Sequence, residues 1–85
     1  MAEIPMASLG LGRPYPVPSG ARLVFRFTLL TTDGWSRGDV GLEFPDGRPL
    51  HVVARNLPAI GNGKSARLLG DYTTLFPGDL PVAPG

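Results

Sequence analysis

The chain contains no cysteine, so no disulfide can staple it. A structural zinc site needs about four Cys or His ligands, and His51 is the only histidine. No apolar run approaches the roughly 18 residues of a membrane span. The opening residues MAEIPMASLG lack the basic start and apolar stretch of a secretion signal. These features predict a virion or cytoplasmic location. Charge is also scarce, at 18% of residues, with eight Lys and Arg against seven Asp and Glu and no run of either sign. A nucleic-acid domain more often gathers a basic excess on one face. The expected partners are therefore proteins, in a homo-oligomer or larger assembly, and not nucleic acid or a membrane.

Size sharpens that expectation. A domain of 85 residues hides only about 60% of its unfolded surface, and small domains usually add disulfides, a metal or a partner. With the first two lacking support, packing and association remain. At 42% hydrophobic residues and a net charge of +1, the chain has the composition of a folded protein. Of its 10 Pro, four fall in residues 1–20 and three in 77–85, which divides the chain into an extended arm (1–20), a β domain (21–76) and a tail (77–85).

In the arm, Pro14-Tyr15-Pro16-Val17-Pro18 holds the backbone extended and removes amide donors. The arm also carries Leu9, Leu11, Tyr15 and Val17, which need a surface to lie on, either its own domain or a neighbour. Residues 22–31 alternate with a period of two, predicting a strand with Leu23, Phe25, Phe27 and Leu29 inward and Arg22 and Arg26 outward. On that reading Phe27→Ala is among the costliest changes. Thr31 to Gly38 reads as a turn and extended loop. Residues 39–55 read as a hairpin around Pro45-Asp46-Gly47-Arg48-Pro49. An odd loop would pair Phe44 with Leu50, Leu42 with Val52 and Val40 with Ala54 on one face, with Glu43 opposite His51 and Asp39 opposite Arg55 outside. A two-residue Asp-Gly turn would instead set Leu42 against His51. Residues 56–65 read as a loop, a last strand is expected near Leu69–Phe76, and GDLPVAPG reads as linker or strapped-down end.

Motifs that carry chemistry are weak. Gly61-Asn62-Gly63-Lys64-Ser65 resembles the end of a phosphate-binding loop, but the full pattern needs glycine where Pro58 stands, and a following helix. A catalytic reading of His51 would need partners such as Ser65 and Asp71 brought together in space. Asp33, Asp39, Asp46, Asp71 and Asp79 each adjoin a glycine. Asp before Gly is turn chemistry, and no segment has calcium-loop spacing. No cofactor, metal ligand or catalytic residue is assigned. Trp35 and Arg37 are candidate binding anchors, being of the types favoured at interfaces. A lone tryptophan in a small domain also often closes one end of the core.

The sequence thus predicts an all-β domain, a small antiparallel sandwich or partly open barrel with Pro/Gly-rich extended arms. The function expected is non-catalytic: a structural or assembly protein, such as a small virion component. The alternatives are an inhibitor or adaptor that binds one protein, and a small barrel that binds single-stranded nucleic acid. The candidate interaction residues are Leu9, Leu11, Tyr15, Val17, Trp35 and Arg37.

Overall fold

The computed structural model describes residues 12–30, 34–61 and 64–83, apart from the side chains of residues 29 and 30. Six elements follow in order: β1 (Arg22–Leu30), β2 (Trp35–Glu43), β3 (His51–Gly61), β4 (Ser65–Leu68), α1 (Tyr72–Leu75) and β5 (Leu80–Ala83). The five strands form one sheet in sequence order that closes on itself as a barrel. Each consecutive pair is antiparallel. After four reversals β5 runs in the direction of β1, so the closing pair must be parallel. It joins Phe25 to Val82 and Arg26 to Ala83. The expectation of a small all-β domain holds, and the five strands close in a ring. Closure removes much of the sheet edge that a small β domain would otherwise expose.

The hairpin of β2 and β3 departs from the odd-loop register. Only Val40 opposite Ala54 matches it; Gly41 faces Val52, and Leu42 faces His51. The reason is a surplus in β3, whose 11 residues run against 9 in β2. Register shifts between Gly38 and Val40 and between Val40 and Gly41 absorb the excess as bulges. Consecutive Val53 and Ala54 are both buried, and consecutive Arg55 and Asn56 are both exposed. Asn56 takes φ 61°, a left-handed conformation that Asn tolerates better than most residues. Leu42 and Ala54 therefore share the inner face without an odd loop. At the tip, Gly47 turns at φ 83° and the Arg48 N–H donates to Asp46 Oδ1 at 3.1 Å, the turn chemistry expected of Asp-Gly.

Several predicted loops are strands. β2 begins at Trp35 and not after Gly38, β3 runs on through Pro58, and β4 begins at Ser65. Pro58 is tolerated because pairing with β4 starts only at Ala59, so its missing N–H interrupts no ladder on that side. Its carbonyl accepts from the Leu69 N–H at 3.1 Å. The strand expected near Leu69–Phe76 is instead the single-turn helix α1, whose turn is tightened by the Thr73 and Thr74 hydroxyls donating to the Gly70 and Asp71 carbonyls. Leu75 and Phe76, at its end, join the core. The last strand, β5, lies in the segment read as linker or strapped-down end, and it completes the barrel.

The core gathers Phe25, Val40, Leu42, Leu57, Leu68 and Leu80 with Leu75 and Phe76. Gly38 is required by a close approach. A Cβ there would overlap the Arg26 carbonyl oxygen and stand 2.8 Å from Phe25 Cζ. Gly38→Ala is therefore expected to cost about 1–3 kcal/mol, as overpacking does, read from its denaturant midpoint. Ser36 is fully buried, and its Oγ has no hydrogen-bond partner among the described residues. An unpaired buried hydroxyl costs about 1–3 kcal/mol. Ser36→Ala should accordingly raise the melting temperature, whereas a loss of stability would show that the hydroxyl is bonded in solution.

The predicted outer-face pairs are also rearranged. Arg22 Nε donates to Glu43 Oε1 at 2.7 Å, and Arg26 Nη2 to Asp39 Oδ2 at 2.8 Å. Both acids therefore engage arginines of β1. Asp39 is buried, and its Oδ1 accepts the Asn56 N–H at 3.2 Å, which ties it to the bulged segment of β3.

Candidate functional site

The described part of the arm lies on its own barrel. The Gly12 N–H donates to Thr74 Oγ1 at 3.3 Å, and the Tyr15 N–H to the Leu75 carbonyl at 2.8 Å. The Tyr15 ring is half-buried, 6.0 Å from the Phe76 ring. Proline makes this geometry inexpensive, since an arm already held extended loses little further freedom on docking. Beyond Pro18, Gly20 turns the chain into β1 through the Ala21 N–H to Pro18 carbonyl bond of 3.1 Å.

Between this arm and the β2–β3 hairpin lies an open groove of about 710 Å³. Tyr15 and Pro18 line it from the arm; Leu42, Phe44, Pro49, Leu50 and Val52 supply apolar surface from the hairpin. Its polar members are Arg48, His51 and Arg55. The Arg48 guanidinium lies 4.2 Å from the centre of the Phe44 ring, a cation–π stack that keeps the ring at the groove. The same guanidinium bonds the Asp46 carboxylate. These hydrogen bonds hold the Asp46 carboxyl below its usual range and push Arg48 above its own. Among the described residues, the groove offers an apolar floor with cationic groups and no carboxylate in its lining.

The four candidate interaction residues that are described do not come together. Tyr15 lines the groove, while Val17, just beyond it, is 43% exposed and does not. Trp35 and Arg37 sit on β2, with the Arg37 guanidinium 5.9 Å from the Trp35 ring and its Nη1 donating to the Asn56 carbonyl at 2.9 Å. Trp35 faces Ile60 across the ladder. At 37% and 48% exposure they form an apolar pair on the outer surface, so the tryptophan does not close the core. Leu9 and Leu11 lie outside the described residues.

Phe44, Leu50, Val52 and Arg55 were missed as a surface. The odd-loop register turned Phe44, Leu50 and Val52 into the core. In the structure the β2–β3 ladder ends at Leu42 and His51, which frees the residues between them to line a groove. The cue was the turn itself, since a two-residue Asp-Gly loop places Leu42 opposite His51.

The catalytic and phosphate-loop readings gain no geometry. His51 lines the groove, whereas Ser65 borders a separate hollow beside Ile60, and Asp71 precedes α1. Gly61 ends one strand and Ser65 opens the next, so Lys64 leads into a strand, not the helix that phosphate capture needs. Among the described residues no group of three or more His, Asp or Glu is placed to hold a metal ion, and no helix is long and apolar enough to cross a membrane. Compared with protein families, with curated proteins and with solved structures, the chain matches none.

Proposed function

We propose that the protein is a non-catalytic structural component that works by docking, with the groove between its arm and the β2–β3 hairpin as the docking surface. The observation that carries this reading is the lining: side chains of two separate segments converge on an open groove with aromatic and aliphatic surface and cationic groups. Exposed apolar surface rimmed by polar groups marks interaction sites, protein interfaces among them. A core of modest size, an extended arm and a second apolar pair at Trp35 and Ile60 suit a protein stabilised within an assembly. Among assemblies, the proposal is a small virion component (capsid decoration, head–tail joining or tail protein), with a virion or the cytoplasm where one is built as its proposed location.

The Trp35–Ile60 pair favours a second reading, an adaptor or inhibitor that stays monomeric and binds one protein. Light scattering across a concentration series separates the two. A defined oligomer supports the structural reading; a monomer at every concentration supports the adaptor.

A further inference from the structure

The described part of the arm has a surface of its own, apart from the groove. Arg13, Tyr15 and Val17 each precede a proline, which biases them toward extended backbone. Pro14, Pro16 and Pro18 alternate with them, each with φ fixed at about −65°. Such a run takes the polyproline helix, with about three residues per turn and no internal hydrogen bonds. The contacts repeat with that period. Tyr15 and Pro18 both line the groove, whereas Val17 does not; a strand would have set Tyr15 and Val17 on one side. Pro14 and Val17 therefore share a second edge of the helix, and Pro16 lies on the third. All three residues are exposed, as is Arg13 at the N-terminal end.

The chemistry of this ridge says what fits it. Its first edge is pinned to the barrel by the Tyr15 N–H bond to the Leu75 carbonyl and the packing of its ring on Phe76. The other two edges face outward, so a partner engages them without unseating the arm. Three prolines remove three amide donors, and the Tyr15 N–H is already used, so the ridge presents mainly carbonyl acceptors. The partner must supply donors on surfaces that pack against proline, as the Trp indole N–H and the Tyr hydroxyl do. Extended and pinned beforehand, the ridge loses little freedom on binding. We infer that the Pro14–Val17 and Pro16 edges dock in a groove of another protein walled by Trp and Tyr rings, the kind of surface that takes polyproline helices, with a carboxylate meeting Arg13. This goes beyond the groove docking proposed above and does not depend on it.

The test titrates ¹⁵N-labelled full-length protein with a panel of purified polyproline-binding domains whose grooves are walled by Trp and Tyr and flanked by acids. The expected result is saturable shifts of the Arg13, Val17 and Ser19 amides with at least one domain. Val17→Asp and, separately, Pro16→Gly should each weaken that binding about tenfold, the loss of one contact of ordinary size. Arg13→Glu should do the same through charge. If one variant loses the folded spectrum, the others are read. Arm amides left in place by every domain at about 1 mM, where even a weak contact registers, overturn the inference. So do shifts that survive all three substitutions. Light scattering of the protein alone reads the structural proposal separately. An oligomer whose arm no domain shifts removes this inference only; a monomer whose arm is bound supports it and removes the structural reading.

Discussion

Phe25→Ala is expected to lower the unfolding free energy by about 3–5 kcal/mol, the usual cost of emptying a buried phenylalanine site. Phe25 is fully buried, packs edge-to-face on Phe27 with ring centres 5.4 Å apart, and fills the space that Gly38 leaves by having no side chain. It also stands at the seam of the barrel, because its backbone pairs with Val40 on one side and Val82 on the other. A cavity there loosens the short parallel pairing of β1 with β5. A typical domain of this length has a margin of about 4–13 kcal/mol, so the variant should unfold at a much lower urea concentration, or fail to fold at physiological temperature. Phe27, half-buried beside it, should cost clearly less. That reverses the sequence expectation, which placed Phe27 among the costliest positions. A urea melt of both variants decides the order, and equal losses would show that Phe25 is less central than its burial implies.

The second large effect is expected at Asp39. Its carboxylate has two partners on two strands, the Arg26 guanidinium and the Asn56 N–H. The Asp39 side chain is 6% exposed and that of Arg26 30%. Asp39→Ala strands a cation that keeps partial access to water and leaves a backbone donor unpaired. Removing one member of a fully buried pair costs about 3–5 kcal/mol. The remaining hydration of Arg26 brings the expectation to about 2–3 kcal/mol. Asp39→Asn keeps an oxygen for Asn56 and removes the charge, so it should fall between the wild type and Asp39→Ala. If both variants melt as the wild type does, the bond to Asn56 does not hold the bulge.

Local chemistry was legible in the sequence, whereas long-range closure was not. The strand β1 and the Asp46-Gly47 turn follow from period and backbone preference within a few residues and appear where expected, but the alternation is broken at Val24, which is buried beside Phe25 instead of facing out with Arg22 and Arg26. The bulges of β3 leave no comparable trace, since Val53, Ala54, Arg55 and Asn56 make an ordinary run until β2 is laid beside them. Gly38 read as loop because glycine marks flexibility more often than close approach. β5 escaped notice because four residues containing Pro81 carry little strand signal; their strand character comes from Ser65 and Ala66 on one side and Phe25 and Arg26 on the other. The groove was hidden for the same reason. Tyr15 was recognisable as an apolar residue in search of a surface, but that surface is made by residues more than twenty positions along the chain.

The measurement that bears most directly on the docking account is the native mass of the wild type and of Arg55→Glu, by light scattering over one concentration series, with thermal melts of both. Arg55 lines the groove from an exposed position, and the melts read any cost to folding of reversing its charge separately from the change in mass. The account predicts a defined wild-type oligomer that dissociates in Arg55→Glu while the variant remains folded. A wild-type monomer, or an oligomer indifferent to the substitution, would contradict it.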